Sequence, residues 1–318
     1  FFKLNPFYYY LTNIFIHLAS AIVIFFLIRF FYYDPRVAFW VALLFSTHPV
    51  NWEAVANIPG RSILLSALFY FLAFYLFCCY HQLKRNVVLL LLSFVCFALS
   101  LMSKESGMML PVLILAYLWL YERPRSETKI KYLFISAPYF LILGAYLIVR
   151  RILGMTSLFY PRTIEESLLG FFTFLRSVIT HLRLFVLPVD LHFDRSNALF
   201  TSFLNPELII TVSFFAALGF LIFRVFKRLP VPVIFFGLWF AIDLFPVSQL
   251  LVAIGTQAGR ISTAEHFLYS ACIGIFVLMI EGAMWLFRRN AERKFADARI
   301  IKFGLIGLYL FLFLTTIR

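Results

Sequence analysis

The sequence has 318 residues, of which 63% are hydrophobic, 20% aromatic and only 14% charged, with a formal net charge of +13. Soluble domains carry roughly a quarter charged residues, and the mean hydropathy here is +0.93. A soluble enzyme, a disordered tail and a secreted disulfide scaffold are excluded.

A bilayer core accepts only backbones that satisfy their own hydrogen bonds. The apolar runs are continuous rather than alternating, which argues against a β-barrel. At about 20 residues per span, the composition has room for about ten. The expected fold class is all-α: a polytopic membrane helical bundle of about ten transmembrane helices with one amphipathic helix on its outer surface.

In chain order the apolar runs are 7–28, 37–47, 62–80, 87–102, 107–121, 132–149, 168–187, 205–223, 231–248, 267–287 and 302–317. Arg29 and Arg36 mark one end of the bundle, and His48 to Arg61 mark the other. Alternation puts Lys84, Arg85 and the basic stretch after Tyr121 at the Arg29 end. It puts Lys104 and Glu105 at the His48 end. The run 168–187 decides the rest, because Arg176, His181 and Arg183 are expensive at mid-bilayer. If it lies along the His48 end instead of crossing, most of the 28 Lys and Arg gather at the Arg29 end. The positive-inside rule then makes the Arg29 end cytoplasmic, and 168–187 becomes the interfacial amphipathic helix. The net charge follows from this bias and attracts anionic lipid headgroups. It requires no nucleic-acid partner.

With that topology the uncommon polar motifs share the His48 end: HPVNWEAVANIPGR (48–61), SKES (103–106), RRILG (150–154), LHFDRS (191–196) and GTQAGRISTAEH (255–266). Pro49 suits a first helical turn, and Glu53 and Asn57 then share a stripe. A short outer helix is expected there, presenting Glu53 to the lumen or periplasm with His48 at its start. This suits acid–base or ligand work, and equally a capped turn with solvated polar groups. In SKES, Ser103 suits a cap and Glu105 a helix N-terminus. Lys104 is either a snorkelling cation or a ligand for a phosphate headgroup. Arg150 and Arg151 run against the charge bias and suit a lipid phosphate or interfacial anchoring. Asp243 sits near the outer end of its run, where an ionisable group is a functional candidate or a partner for an outer-loop Arg.

Asp190 and Asp194 flank His192 at a spacing that a metal also uses, but no metal site is assigned. Cys78, Cys79, Cys96 and Cys272 lie in apolar runs and read as small buried hydrophobes. P-loop, dinucleotide-binding, HExxH and GxSxG patterns are missing. No cofactor is evident, and no motif supports a divalent cation.

Several strings together resemble one family. FSTHPVNWEAVANIPGRSILLSALFYFLAF, SKESGMMLPVLIL, HLRLFVLPVDLHFDRS and AEHFLYSACIG are similar, in the same order, to segments of the transmembrane and tetratricopeptide-repeat O-mannosyltransferases and their bacterial relatives. The resemblance implies a C-type glycosyltransferase fold. It implies a sugar, mannose-like, moved from a polyprenol-phosphate donor to an acceptor, a protein Ser/Thr hydroxyl or a glycan. Transfer would occur on the lumenal or periplasmic face of the endoplasmic reticulum or a bacterial inner membrane. Lys104, Arg61, Arg150, Arg151 and Arg260 are then the phosphate-binding candidates. Glu53, Glu105 and His48 are the catalytic candidates, with Asp194, Asp243, Glu265 and His266 as further outer-face candidates. The family's usual acidic residue would precede Phe1, so the chain reads as a single membrane domain of a longer protein, with an inserted outer region at 150–204 and without the family's C-terminal repeats. His266 stands where the family pattern has Arg, and Ala271 where it has Pro. A lipid or polysaccharide transporter or flippase, and a non-catalytic membrane scaffold, are the competing functions.

Overall fold

A computed structural model describes residues 5–82, 86–121, 128–155, 163–193, 195–250, 254, 259–292 and 307. The helices follow the apolar runs, and short polar residues start several of them. Asn5 caps α1 (Pro6–Phe31) through the Phe7 N–H at 3.0 Å. Asp34 does the same for α2 (Pro35–Thr47), through the Arg36 N–H at 2.9 Å. In both, proline fills the first helical position, where its missing N–H costs nothing. A broken segment follows: a 3-10 turn at Pro49–Asn51, α3 (Trp52–Ala56) and a second 3-10 turn at Ile58–Gly60.

Then come α4 (Arg61–Gln82) and α5 (Val87–Ser103), which Asn86 caps. A 3-10 turn at Glu105–Met109 leads into α6 (Leu110–Tyr121), and α7 (Thr128–Ile152) follows. The helix α8 (Ile164–Val186) opens on a capping box: Glu166 N–H donates to Thr163 Oγ1, and Thr163 N–H to Glu166 Oε2. Strand β1 (Ser196–Ala198) precedes α9 (Pro206–Val225) and α10 (Val231–Leu244). Strand β2 (Arg260–Ser262) pairs antiparallel with β1, and α11 (Leu268–Glu292) completes the described bundle. The pair of three-residue strands was not expected. The proposed last run, 302–317, lies outside the described residues except Gly307.

The core lies between α1, α2, α4, α10 and α11 and is built from aromatic rings. Phe71, Phe74, Phe235, Phe236 and Trp239 are fully buried. Phe74 meets Trp239 edge-on at 5.2 Å, and Phe236 stacks on it at 5.8 Å. Gly274 lets α11 close on α10, since a Cβ there would lie 2.4 Å from the Phe236 carbonyl oxygen.

The outer helices show the opposite pattern. α9 buries only 11% of its most apolar stretch and α7 only 17%, leaving residues such as Phe223 and Leu141 exposed. Faces this apolar belong in hydrocarbon. Six helices among the described residues are long and apolar enough to cross a membrane: α1, α4, α7, α8, α9 and α11. With the shorter apolar helices α2, α5, α6 and α10, the molecule is an all-α polytopic membrane bundle.

Length and hydropathy count α8 among the possible spans, but its contacts point another way. Thr173 Oγ1 accepts from Phe200 N–H at 3.0 Å, and Ser177 Oγ from Asn197 Nδ2 at 2.8 Å. His181 Nε2 donates to the Thr263 carbonyl at 3.1 Å, and the Phe185 ring packs beside His48. These residues form one i, i+4 stripe, and all of it touches loops at the His48 end. The stripe is about 18 Å long at 1.5 Å per residue. A helix crossing the bundle would meet this end at one terminus only.

Candidate functional site

The segment 48–60 is held by its backbone. The His48 ring accepts from the Val50 N–H through Nδ1 and donates to the Phe185 carbonyl through Nε2, both at 3.1 Å. Burial pushes its pKa down to about 4. Both nitrogens are therefore committed to fixing the turn, and the ring does not line the cavity described below. Gly60 fits under α3 because a Cβ would come 2.1 Å from the Ala54 carbonyl oxygen. That packing turns Glu53 inward, leaving it 2% exposed. The expectation that a short outer helix displays Glu53 to open water is thus corrected: α3 is five residues long and buries it.

Neighbouring residues on two distant segments interlock here. Glu53 accepts from the His266 backbone N–H at 2.9 Å and from the ring Nδ1 at 2.7 Å. Glu265, fully buried, accepts from Trp52 Nε1 at 3.3 Å, from the His192 N–H at 2.9 Å and from Arg195 at 3.2 Å. A buried carboxylate is tolerated only when a cation and hydrogen bonds replace its water, and Arg195 with these donors does so. The loop carrying Arg195 is closed by Asp190, whose φ is +64°. The hydrogen bond from His192 at 2.7 Å, with Arg195 and Arg183 nearby, holds the Asp190 carboxyl below its ordinary pKa.

In front of the Glu53–His266 pair lies a cavity of about 140 Å³. Lys104, Glu105, Asp243 and His266 are among its polar lining residues, and Ile63, Ala67, Met108 and Val247 among its apolar ones. A serine cluster sets the position of Lys104. Ser66 Oγ donates to the Lys104 carbonyl at 3.0 Å and meets Ser100 Oγ at 3.2 Å and Ser106 Oγ at 3.1 Å. Gly107 closes the turn, because a Cβ there would be 2.2 Å from Ser100 Oγ. Burial strips water from the Lys104 ammonium and lowers its pKa, against the attraction of Glu105 and Glu53. Glu105 pairs with Arg150 at 3.1 Å, and Arg150 also donates to Tyr146 Oη at 3.2 Å. Asp243 accepts from Tyr70 Oη at 2.7 Å and from Trp239 Nε1 at 3.0 Å.

Of the residues singled out in the sequence, Lys104, Glu105, Asp243 and His266 meet at the cavity, with Glu53 behind His266 and Arg150 behind Glu105. Glu265 lies one residue away in its own network. The other arginines do not join them. Arg61 reaches back to Asn13 Oδ1 at 3.4 Å and the Tyr9 carbonyl at 3.3 Å, and braces the start of α1. Arg260 is exposed and binds Ser196 along the strand pair. Arg151 is exposed at the last turn of α7. Asp194 lies outside the described residues. Sequence reasoning passed over Trp52 and Arg195. The signal for Arg195 was its place in LHFDRS, one residue beyond the acids read as metal-like.

No family model and no solved structure matches the chain. Curated relatives match parts of it. Human Protein O-mannosyl-transferase TMTC1 is 39% identical over 72 residues, 22% of this chain and 8% of the relative. Protein O-mannosyl-transferase F38B6.6 of Caenorhabditis elegans is 34% identical over 110 residues, 33% of this chain and 15% of the relative. Human Protein O-mannosyl-transferase TMTC4 is 50% identical over 44 residues, 14% of this chain and 6% of the relative. Each match thus spans a small part of the relative's own length. Over these stretches the chain is similar to the protein O-mannosyl-transferases, the family that its motifs resemble.

Proposed function

We propose that this chain is membrane machinery of a C-type glycosyltransferase. It takes a mannose-like sugar from a polyprenol-phosphate donor and transfers it to a protein hydroxyl. The observation that carries the reading is the mixed lining of the cavity. Its apolar residues suit a lipid chain, and Lys104, a partly desolvated ammonium in the same lining, suits a phosphate. A leaving phosphate gains most from a cation fixed in a water-poor site. Arg150, paired with the lining residue Glu105 at 3.1 Å, puts a second positive charge one contact behind it.

Sidedness follows from charge. The cavity lies at the His48 end, and the basic helix ends such as Arg224, Lys227 and Arg228 lie opposite. We read the cavity end as lumenal or periplasmic, with α8 lying in the interface beside it. The transporter reading loses ground because Asp243 is tied to Tyr70 and Trp239, both buried in the packed aromatic core.

Reconstituted full-length protein, assayed with labelled polyprenol-phosphate mannose and an acceptor peptide, tests this. A hydrogen bond to a charged group contributes about 1.5–3 kcal/mol, so Lys104→Ala is expected to lower kcat/KM by about 10- to 150-fold. Transfer by Lys104→Ala at the wild-type rate would overturn the donor site.

A further inference from the structure

We infer that Asp243 accepts hydrogen bonds from the hydroxyls of the donor's sugar, and so selects which sugar the lipid carries. The inference rests on the glycosyltransferase reading and assigns a part of the same cavity.

Asp243 stands in the last turn of α10, at the end of the apolar run VPVIFFGLWFAIDL. It is 7% exposed and lines the cavity. Three helices meet around its carboxylate. Tyr70 Oη of α4 donates to Oδ1 at 2.7 Å, and Trp239 Nε1, one turn earlier in α10, donates to Oδ2 at 3.0 Å. The Ser270 hydroxyl of α11 lies beside it and lines the same cavity. All of these groups are neutral. Among the described residues no Lys, Arg or His forms an ion pair with Asp243, whereas Arg150 pairs with Glu105 at 3.1 Å and Arg195 with Glu265 at 3.2 Å.

A buried charge without a counter-charge is costly, and bonding to Tyr70 and Trp239 needs acceptors rather than a negative charge. A carboxylate offers about four acceptor sites, so these two donors leave it able to take more. The donor lipid has three chemically distinct parts to offer. Its polyprenol tail is apolar and gains nothing from a carboxylate. Its phosphate is an anion and is repelled by one. Its sugar carries several hydroxyl donors, for which an ionised acceptor in a water-poor site is the strongest partner. The sugar is bonded directly to the phosphate, and Lys104 in the same lining suits that phosphate. Two side chains of opposite sign thus divide the headgroup between them. Tyr70 and Trp239, both fully buried, are positioning residues that hold the carboxylate in place before the sugar arrives. A fixed acceptor discriminates, because a sugar without a hydroxyl at that point leaves it unpaired.

The test uses the full-length protein in nanodiscs, with binding of polyprenol-phosphate mannose and of sugar-free polyprenol phosphate measured separately. Asp243→Asn is expected to weaken the mannose lipid by about 10- to 150-fold and to bind sugar-free polyprenol phosphate as the wild type does. Lys104→Ala is expected to weaken both. Monodeoxy-mannose lipids, each missing one hydroxyl, give a second readout on the unaltered protein. At least one is expected to lose the same factor on the wild type and nothing further on Asp243→Asn. The sugar assignment falls if Asp243→Asn weakens both lipids alike, if it weakens neither, or if the wild type is indifferent to the loss of every hydroxyl. A wild type that binds neither lipid would overturn the glycosyltransferase reading instead.

Discussion

Replacing Arg195 with Met removes the guanidinium that faces the fully buried Glu265 carboxylate at 3.2 Å. Only 15% of the Arg195 side chain is exposed, so water cannot readily take its place. Breaking a buried ion pair from one side costs about 3–5 kcal/mol. Glu265 keeps the Trp52 and His192 N–H donors, which places the expected loss near the lower figure, about 3 kcal/mol. Adding Glu265→Gln removes the stranded charge, so the double variant is expected to recover more than half of that loss. The assay is thermal melting of purified protein in detergent, run on both single variants and the double. A loss below about 1 kcal/mol for Arg195→Met would place the pair in the range of exposed salt bridges. That result, or a double variant weaker than Arg195→Met alone, would refute the argument that this cluster is held by burial and charge together.

His48 makes stability depend on pH. Its folded pKa, about 4, lies below the ordinary 6.5, so the unfolded chain binds the extra proton between those values. This contribution is fully present above pH 6.5 and falls by about 3 kcal/mol as pH drops to 4; melting scans against pH, made shallower but not flat in His48→Gln because buried His181 is shifted the same way, check it. Gly60→Ala drives a Cβ to 2.1 Å from a backbone oxygen that cannot move aside, and is expected to cost about 1–3 kcal/mol. Gly144→Ala, in α7, meets nothing within 4 Å. The same melts should show it neutral or up to about 1 kcal/mol more stable.

The helices were legible because hydropathy and capping agree. The run 7–28 became Pro6–Phe31 and the run 87–102 became Val87–Ser103. Asn-Pro or Asp-Pro stands at the start of α1, α2 and α9 and marks their first turns. The pairing of Trp52 and Glu53 with Glu265 and His266 was not legible, since it joins residues 213 apart. Local periodicity cannot say which way a five-residue helix faces, so Glu53 read as exposed. His48 and Arg61 read as chemistry for a related reason. A polar side chain beside a proline turn looks the same in sequence whether it serves a ligand or the backbone. The β1–β2 pair was illegible because three residues carry too little alternation.

The shortness of α2 and α10 has a mechanical consequence. With 13 and 14 residues, they reach about 20 Å at 1.5 Å per residue, against a hydrocarbon thickness of about 30 Å. The segments they lead into, which carry His48 and the 3-10 turn after Asp243, therefore begin below the bilayer surface whenever the opposite helix ends sit flush with theirs. In that arrangement the chamber would be sunken, level with lipid headgroups rather than standing above them. On the glycosyltransferase function we propose, a lipid-borne donor would slide into it sideways from the leaflet, and a protein acceptor would have to lower an extended strand of chain to meet it.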